Sequence, residues 1–221
     1  MLQLAQDPDA DALLDRDPLA LLIGMLLDQQ FPMERAFASP ALLAERVGPL
    51  TAATLAEYDT EALVAAFTGP PALHRYPRSM AERVQAMCRL LVADWGGEAE
   101  RLWADAASGR EVLANLQSLP GFGKQKAQIF TALLGKQCGV RPEGWREAAG
   151  AYGEVGARRS IADVVDPVTL GEVREFKQAQ KKAAKQAASS CPLRWRRRRP
   201  GLSLEAEGTR GERRMPRRRR A

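Results

Sequence analysis

The sequence predicts an all-α protein, and three features of the 221-residue chain support this fold class. Alanine and leucine, which favour helices, are abundant, while aromatic residues make up only 6% of the chain. Apolar residues recur at helical spacing, and no strand-like alternation persists. Helix-starting signals such as Asp17-Pro18 precede the apolar segments. Because 45% of the residues are hydrophobic, these helices can bury a sizeable core.

The predicted helices follow one another from Pro18 to about Ala187. The first, residues 19–27, is apolar on nearly every side and is therefore expected in the centre of the core. The last, residues 168–187, places apolar side chains on one side and has a basic end at residues 177–185 that is expected to be exposed. Between them, helices are expected to begin at five capping residues: Ser39, Thr51, Thr60, Ser79 and Ser108.

The net charge of +6 is divided unevenly along the chain. Residues 189–221 hold 12 Arg and 3 Glu, so residues 1–188 hold 21 basic and 24 acidic side chains. We therefore predict an all-helical domain over residues 1–188 and a disordered, Arg-rich tail over residues 189–221. Three interpretations of the tail stay open: a non-specific nucleic-acid-binding arm, a passive extension, or the product of translation in another reading frame.

The cysteines and the histidine limit the chemistry. Cys88, Cys138 and Cys191 are widely spaced, and no C-x-x-C occurs, so we expect neither a zinc site nor a four-cysteine iron–sulfur cluster. The single histidine, His74, has no neighbours that suggest a Ser-His-Asp triad. No apolar run is as long as the roughly 18 residues that a membrane span needs, so none is expected. The N-terminus lacks the basic segment with which a secretory signal begins, so no such signal is expected. The expected location is a reducing cytoplasm.

Residues 119–127, Leu-Pro-Gly-Phe-Gly-Lys-Gln-Lys-Ala, stand between two apolar helical segments and predict a helical hairpin over residues 111–135. Gly121 and Gly123 let bare backbone approach a ligand. The unpaired N–H groups at the start of the second helix and the positive end of its dipole point toward the same ligand. Such a turn can bind phosphate, and Lys124 and Lys126 add positive charge. The alternative is a helical corner that binds no ligand.

This hairpin resembles the helix–hairpin–helix of the HhH-GPD superfamily of base-excision DNA glycosylases, whose pattern is L-P-G-[VI]-G-x-[KS]-[TK]-A. The apolar helix that ends in Asp28-Gln29-Gln30 and the segment of residues 74–91 also resemble the family, in the same order and with similar spacing. The resemblance spans residues 19–134 and implies binding of double-stranded DNA. By this resemblance Gln30 would lie near the space left by an extruded base. A monovalent cation would share the hairpin's carbonyls with a phosphate. The resemblance assigns DNA contacts to Leu119, Gly121, Phe122, Gly123, Lys124, Gln125 and Lys126.

The resemblance also indicates where catalytic groups are expected. The Schiff-base lysine of bifunctional members falls on Gln125 here, so AP-lyase activity is not expected. The aspartate of the family's V-D-x-H motif falls in residues 140–145, which lack that motif. Glu143 is the carboxylate in this stretch and is the first candidate for catalysis. Asp28, at the end of the apolar helix, is the second. No metal ligand is predicted.

These observations predict a DNA-binding base-excision repair protein, namely a monofunctional glycosylase that extrudes and releases a damaged base. One alternative is a non-catalytic DNA- or lesion-binding protein on the same fold, and a weaker one is a module whose hairpin contacts another protein. We expect a monomer in a bacterial cytoplasm, associated with the nucleoid. If Glu143 or Asp28 opens into a cleft beside the hairpin, the hypothesis of a glycosylase is favoured over that of a non-catalytic protein. The sequence does not name the lesion.

Overall fold

The computed structural model describes residues 1–190, with side chains as far as residue 186, and this part of the chain is all-α, as predicted. No strand and no helix able to span a membrane occurs within it. Residues 191–221, which form most of the predicted tail, lie outside the described residues. The α-helices are α1 (Pro8–Arg16), α2 (Pro18–Leu27), α3 (Met33–Val47), α4 (Ala52–Glu57), α5 (Thr60–Thr68), α6 (Pro77–Trp95), α7 (Arg101–Ala104), α8 (Gly109–Gln117), α9 (Lys124–Gln137), α10 (Trp145–Ala149) and α11 (Pro167–Ser190).

Helix α2 lies in the centre of the core, as its uniform apolar character predicted. Every residue from Leu19 to Leu27 is buried. Helix α3 packs so closely against α2 that a Cβ on Gly24 would lie 2.7 Å from Cδ1 of Phe37. Glycine is therefore required at position 24 because a larger residue would displace a fully buried ring.

Helix α2 also contacts α1 and α6, and most of the other helices pack in two groups. Helices α4 and α5 pack on α6, and α5 also contacts α3. Helices α8 and α9 form the predicted hairpin, and α10 packs against both of them. A 3₁₀ turn, Ile161–Asp163, packs on α9 and leads into α11. This arrangement places the hairpin turn next to the C-terminal end of α2.

The predicted helix starts had mixed outcomes. Thr51 and Ser108 cap α4 and α8, as expected. In α5 the cap is instead the adjacent Asp59, whose carboxylate accepts the N–H of Ala62. Helix α6 begins earlier, with a proline in its first turn, and α3 continues through Pro40 because its packing against α1, α2 and α5 holds it helical there. Three of the predicted starts were therefore wrong: Ser39, Thr60 and Ser79.

Candidate nucleic-acid interface and active site

The hairpin consists of α8, the turn of residues 118–123 and α9. The N–H of Phe122 donates to the carbonyl oxygen of Leu119 (3.1 Å) and closes the turn. Gly121 has a φ of 87°, and a Cβ there would lie 2.7 Å from side-chain carbons of Arg83 and Leu26. Position 121 therefore requires glycine both for its backbone conformation and for its close packing.

The N-terminus of α9 is exposed at this turn. Gly123 is its N-cap residue, no side chain caps it, and a Cβ on Gly123 would have no neighbour within 4 Å. Gly121, Lys124 and Gln125 are exposed as well. The unpaired N–H groups of the first helical turn and the positive end of the helix dipole therefore face open space. This arrangement is suited to binding a phosphate.

Leu119 and Phe122 are placed differently from the other residues that were assigned to DNA contacts. Their side chains are only 3% and 2% exposed. The ring of Phe122 packs edge-on against that of Phe130, with 6.1 Å between the ring centroids. Both side chains thus hold the turn from inside the core, and only their backbone groups are available to a ligand.

Lys126, in the first turn of α9, ties the hairpin to α2. Its Nζ donates to the carbonyl oxygens of Met25 and Leu26, at 2.8 and 2.7 Å. These carbonyls belong to the last turn of α2, where backbone acceptors lack helical partners. Burial lowers the pKa of Lys126 to about 8, although the negative charge of Asp28 acts in the opposite direction. The side chain therefore joins two helices rather than extending into solvent.

A cleft of about 850 Å³ lies beside the hairpin turn, which is within the usual range for ligand pockets. Its walls come from the end of α2 and the loop after it, the start of α3, Arg75 just before α6, the first two turns of α9 and the middle of α11. Among the charged residues in these walls, basic ones outnumber acidic ones by five to two, so the cleft attracts anions. The charged lining residues are Arg75, Lys126, Arg174, Lys177 and Lys181, with Asp28 and Glu34.

Asp28 opens into this cleft. It is the C-cap residue of α2, and its side chain is 10% exposed. Its Oδ2 lies 3.7 Å from Nζ of Lys177 on α11. Gln125 and Lys126 line the same cleft, so the carboxylate stands beside the first turn of α9. A carboxylate in this position can stabilise positive charge that develops on a bound group.

His74 fixes the chain between α2 and α3. Its Nδ1 accepts the N–H of Tyr76 (3.0 Å), so Nε2 carries the proton and donates to the carbonyl oxygen of Gln29 (3.0 Å). The ring of Phe31 packs on the imidazole, with 4.8 Å between the centroids. Burial lowers the pKa of His74, which favours this neutral form. The buried imidazole therefore holds residues 29–31 at the edge of the cleft.

Gln30 lies at this edge with a strained backbone. Its φ is 52°, a left-handed conformation that non-glycine residues rarely adopt. Its side chain is exposed and lines the cleft. Strain of this kind persists only where neighbouring contacts enforce it, and it is concentrated at functional sites. The structure thus brings Gln30, Asp28 and the hairpin turn to one place.

Glu143 lies elsewhere. It is exposed, it does not line the cleft, and its carbonyl oxygen accepts the N–H of Gly109 (2.8 Å) at the start of α8. The start of α8 is the end of the hairpin opposite to the turn. The physical reason is the length of α9, whose 14 residues carry the chain about 21 Å away from the turn before Glu143 is reached. The structure therefore separates Glu143 from Asp28.

A comparison with protein families identifies the family to which the chain belongs. The family described as HhH-GPD superfamily base excision DNA repair protein matches residues 23–196. The chain belongs to this superfamily. The match contains the end of α2, the hairpin and α11, and hence every wall of the cleft. No curated protein and no solved structure matched the chain. As an HhH-GPD protein, it has a DNA-binding, glycosylase-type role in base excision repair.

The sequence did not predict the contribution of α11 to the HhH-GPD cleft. Arg174 and Lys177 are three residues apart, so they lie on one face of α11. Arg174 pairs with Glu34 (2.5 Å), and Lys177 pairs with Asp28. The spacing of the two cations was visible in the sequence. Their partners, however, lie more than 130 residues away, and no local pattern indicates a contact over that separation.

Proposed function

We propose that this HhH-GPD protein is a monofunctional DNA glycosylase that binds double-stranded DNA as a monomer and uses Asp28 as its catalytic carboxylate. The observation that carries the proposal is the position of Asp28, which opens into a cleft beside the exposed N-terminus of α9. In this proposal Asp28 has the catalytic role for which Glu143 was the first candidate from the sequence.

DNA binding begins at the hairpin turn. The exposed N–H groups at Gly121, Gly123 and the first turn of α9 would bind one phosphate, and Lys124 adds positive charge beside them. Arg75 and Lys181, two exposed cations in the cleft wall, would contact the phosphates on either side of the target nucleotide. The nucleotide must leave the duplex because its glycosidic bond cannot be reached inside the helix, and the cleft would receive it.

The chemical step is hydrolysis of the bond between C1′ and the base. The bond breaks with both electrons moving to the base, which takes up a proton, and positive charge develops on the sugar. The carboxylate of Asp28 would stabilise this charge and accept a proton from the water that adds to C1′. In the free protein Lys177 lies 3.7 Å from this carboxylate and holds it in the cleft.

Two contacts support a monofunctional enzyme rather than one with AP-lyase activity. Gln125, at the family's lysine position, cannot form a Schiff base, and its Nε2 donates to the hydroxyl of Tyr152 (2.8 Å). The amine of the next residue, Lys126, is bound to the carbonyls of Met25 and Leu26. Borohydride should therefore trap no covalent complex with DNA that contains an abasic site, and a trapped complex would overturn this part of the proposal.

We also propose that no iron–sulfur cluster is needed, since the chain has three cysteines and a cluster of this kind uses four. A monovalent cation at the hairpin fits the turn in one respect. Within residues 1–190, no backbone N–H donates to the carbonyl oxygen of Gly121, so this oxygen is available as a ligand.

The proposal is tested by base release from a panel of duplexes that each contain one damaged base. Asp28→Asn keeps the size of the side chain but removes its charge, and it should lower the single-turnover rate by about 10²-fold or more. Glu143→Gln is the matched control and should leave the rate within about twofold. If Asp28→Asn releases base as fast as the wild type, Asp28 is not the catalytic group. Light scattering of the protein in solution tests the monomeric state.

One observation also favours a second candidate, a non-catalytic protein that binds DNA or lesions. The carboxylate of Asp28 is already paired with Lys177, and this ion pair would keep it from acting on a bound nucleotide. In that case the wild type would bind duplexes but release no base. Lys124→Glu separates both candidates from a protein-interaction module. It should weaken duplex binding strongly in fluorescence anisotropy, and unchanged binding would exclude the hairpin as the DNA-binding element.

A further inference from the structure

The cleft contains a second carboxylate, that of Glu34, in the first turn of α3. Its Oε1 accepts a hydrogen bond from Nη2 of Arg174 on α11, at 2.5 Å. Its Oε2 is buried and has no hydrogen-bond partner within the described part of the chain. A buried charged oxygen without a donor is costly, and such groups require a specific explanation. A ligand that donates a hydrogen bond to Oε2 would explain why this oxygen has no partner in the free protein.

The surroundings of Glu34 indicate the kind of ligand. Apolar side chains that can cover a flat ring line the same cleft, among them Met25, Phe31, Met33 and Ile129. A carboxylate only accepts hydrogen bonds, whereas the amides of the cleft both donate and accept. With Oε1 bound to Arg174, one oxygen remains for a single N–H donor. These surroundings would suit a ligand that is planar, largely apolar on its faces and equipped with an N–H on its edge.

We propose that Glu34 recognises the extruded base, through a hydrogen bond from a ring N–H of the base to Oε2. The inference rests on the proposed function and narrows its substrate class to neutral bases with a ring N–H on the pairing edge. Cationic, alkylated bases are disfavoured because basic residues in the cleft walls outnumber acidic ones by five to two. Hypoxanthine, uracil and 8-oxoguanine belong to the selected class. 1,N6-Ethenoadenine does not, because its etheno bridge replaces the N–H groups of that edge.

Undamaged guanine and thymine carry the same ring N–H, so Glu34 does not by itself separate damaged from normal bases. That separation comes from the cost of extrusion, which is lowest for a base that pairs poorly. Glu34 therefore selects among lesions after extrusion, while the duplex itself protects normal pairs.

The contrasting interpretation is that Glu34 only docks α11 through its ion pair with Arg174. The variant Glu34→Gln separates the two. The carboxamide has the same size, its oxygen can still accept from Arg174, and its NH₂ places a donor where Oε2 was. Glu172→Gln is the matched control. Glu172 is also on α11 and pairs with an arginine, Arg158 (2.6 Å), but it is exposed and does not line the cleft.

The experiment measures duplex binding by fluorescence anisotropy and single-turnover base release, for hypoxanthine and for 1,N6-ethenoadenine in the same sequence. The wild type should prefer hypoxanthine by about 10- to 100-fold, the usual contribution of one hydrogen bond to a charged acceptor. Glu34→Gln should lose this preference, and Glu172→Gln should keep it. Arg174→Ala removes the docking pair but leaves the carboxylate, and it should keep the ratio between the two bases within about twofold.

Each outcome decides one of the two proposals. If Glu34→Gln changes both bases equally, or if Arg174→Ala abolishes the preference as fully as Glu34→Gln does, Glu34 acts only by docking α11 and the inference is overturned. If the wild type releases both bases at equal rates, the glycosylase proposal stands and base recognition by Glu34 falls. If neither the wild type nor any variant releases base, but the wild type binds hypoxanthine preferentially and Glu34→Gln loses that preference, recognition by Glu34 stands and the catalytic proposal falls.

Discussion

Lys126→Met removes a charge that the fold buries at the junction of α2 and α9. Burial lowers the pKa of Lys126 from 10.5 to about 8. Because each tenfold change in proton affinity corresponds to about 1.4 kcal/mol, the buried ammonium costs the native state about 3 kcal/mol at neutral pH. Methionine also leaves the carbonyls of Met25 and Leu26 without their charged donor, at about 2 kcal/mol each. We therefore expect a net loss of about 1 kcal/mol at pH 7, which lowers the Tm by about 2–4 °C.

The pH dependence of stability tests the same reasoning more sharply. Between pH 8 and pH 10.5 the unfolded chain keeps a proton on Lys126 and the native state releases it, so the wild type gains stability as pH rises. From pH 7 to pH 9.5 this gain should be about 2 kcal/mol. Lys126→Met should lack it, while Lys124→Met, which changes an exposed lysine two residues earlier, should retain it. Urea denaturation at the two pH values measures the difference.

Equal pH dependence of the wild type and Lys126→Met would refute this account of the lysine. The small loss of stability should come with weaker DNA binding, because the variant no longer ties the hairpin to the end of α2. The two hydrogen bonds of the ammonium therefore offset the cost of burying its charge.

Three further predictions follow from particular contacts. Gly121→Ala should lower the free energy of unfolding by about 1–3 kcal/mol and Gly123→Ala by less than about 0.5. Gly123→Ala should nevertheless weaken duplex binding in anisotropy, since its methyl group blocks the approach of phosphate, and unchanged binding would contradict a backbone phosphate site. Gly24→Ala should lower the Tm because its Cβ would meet the ring of Phe37, and an unchanged Tm would show that α3 can move away. His74, the single histidine, should titrate below pH 6.5 by proton NMR. Its protonation at lower pH should destabilise the fold, and a midpoint at or above 6.5 would exclude the neutral, buried imidazole.

Much of the fold was predictable because it follows from short-range patterns. The uniform apolar run of α2 indicated its central position, and the helices on either side of residues 118–123 were visible as periodic apolar segments. Helix starts were less predictable. Asp59 and Thr60 are both suitable caps one residue apart, and only the helix geometry selects between them.

The candidate site was predictable in part. Gln30, Gly121 and Gly123 were singled out from the sequence, and they do lie near one another, where the end of α2 meets the start of α9. Glu34 and Arg174 were not singled out, because their pairing joins residues 140 positions apart. No local sequence signal marks a buried oxygen that lacks a donor.

The sequence by itself determined the helical class, the buried central helix and the glycine turn, because each depends on residues within about two helical turns of one another. Only the tertiary structure decided which carboxylate stands at the cleft. Asp28 is held there because α2 ends against α9, where Lys126 caps its last carbonyls and Lys177 of α11 meets the carboxylate. Glu143 is excluded because the full length of α9 carries it to the opposite end of the hairpin. Distances between packed helices are set by the core as a whole, and a linear sequence does not contain them explicitly.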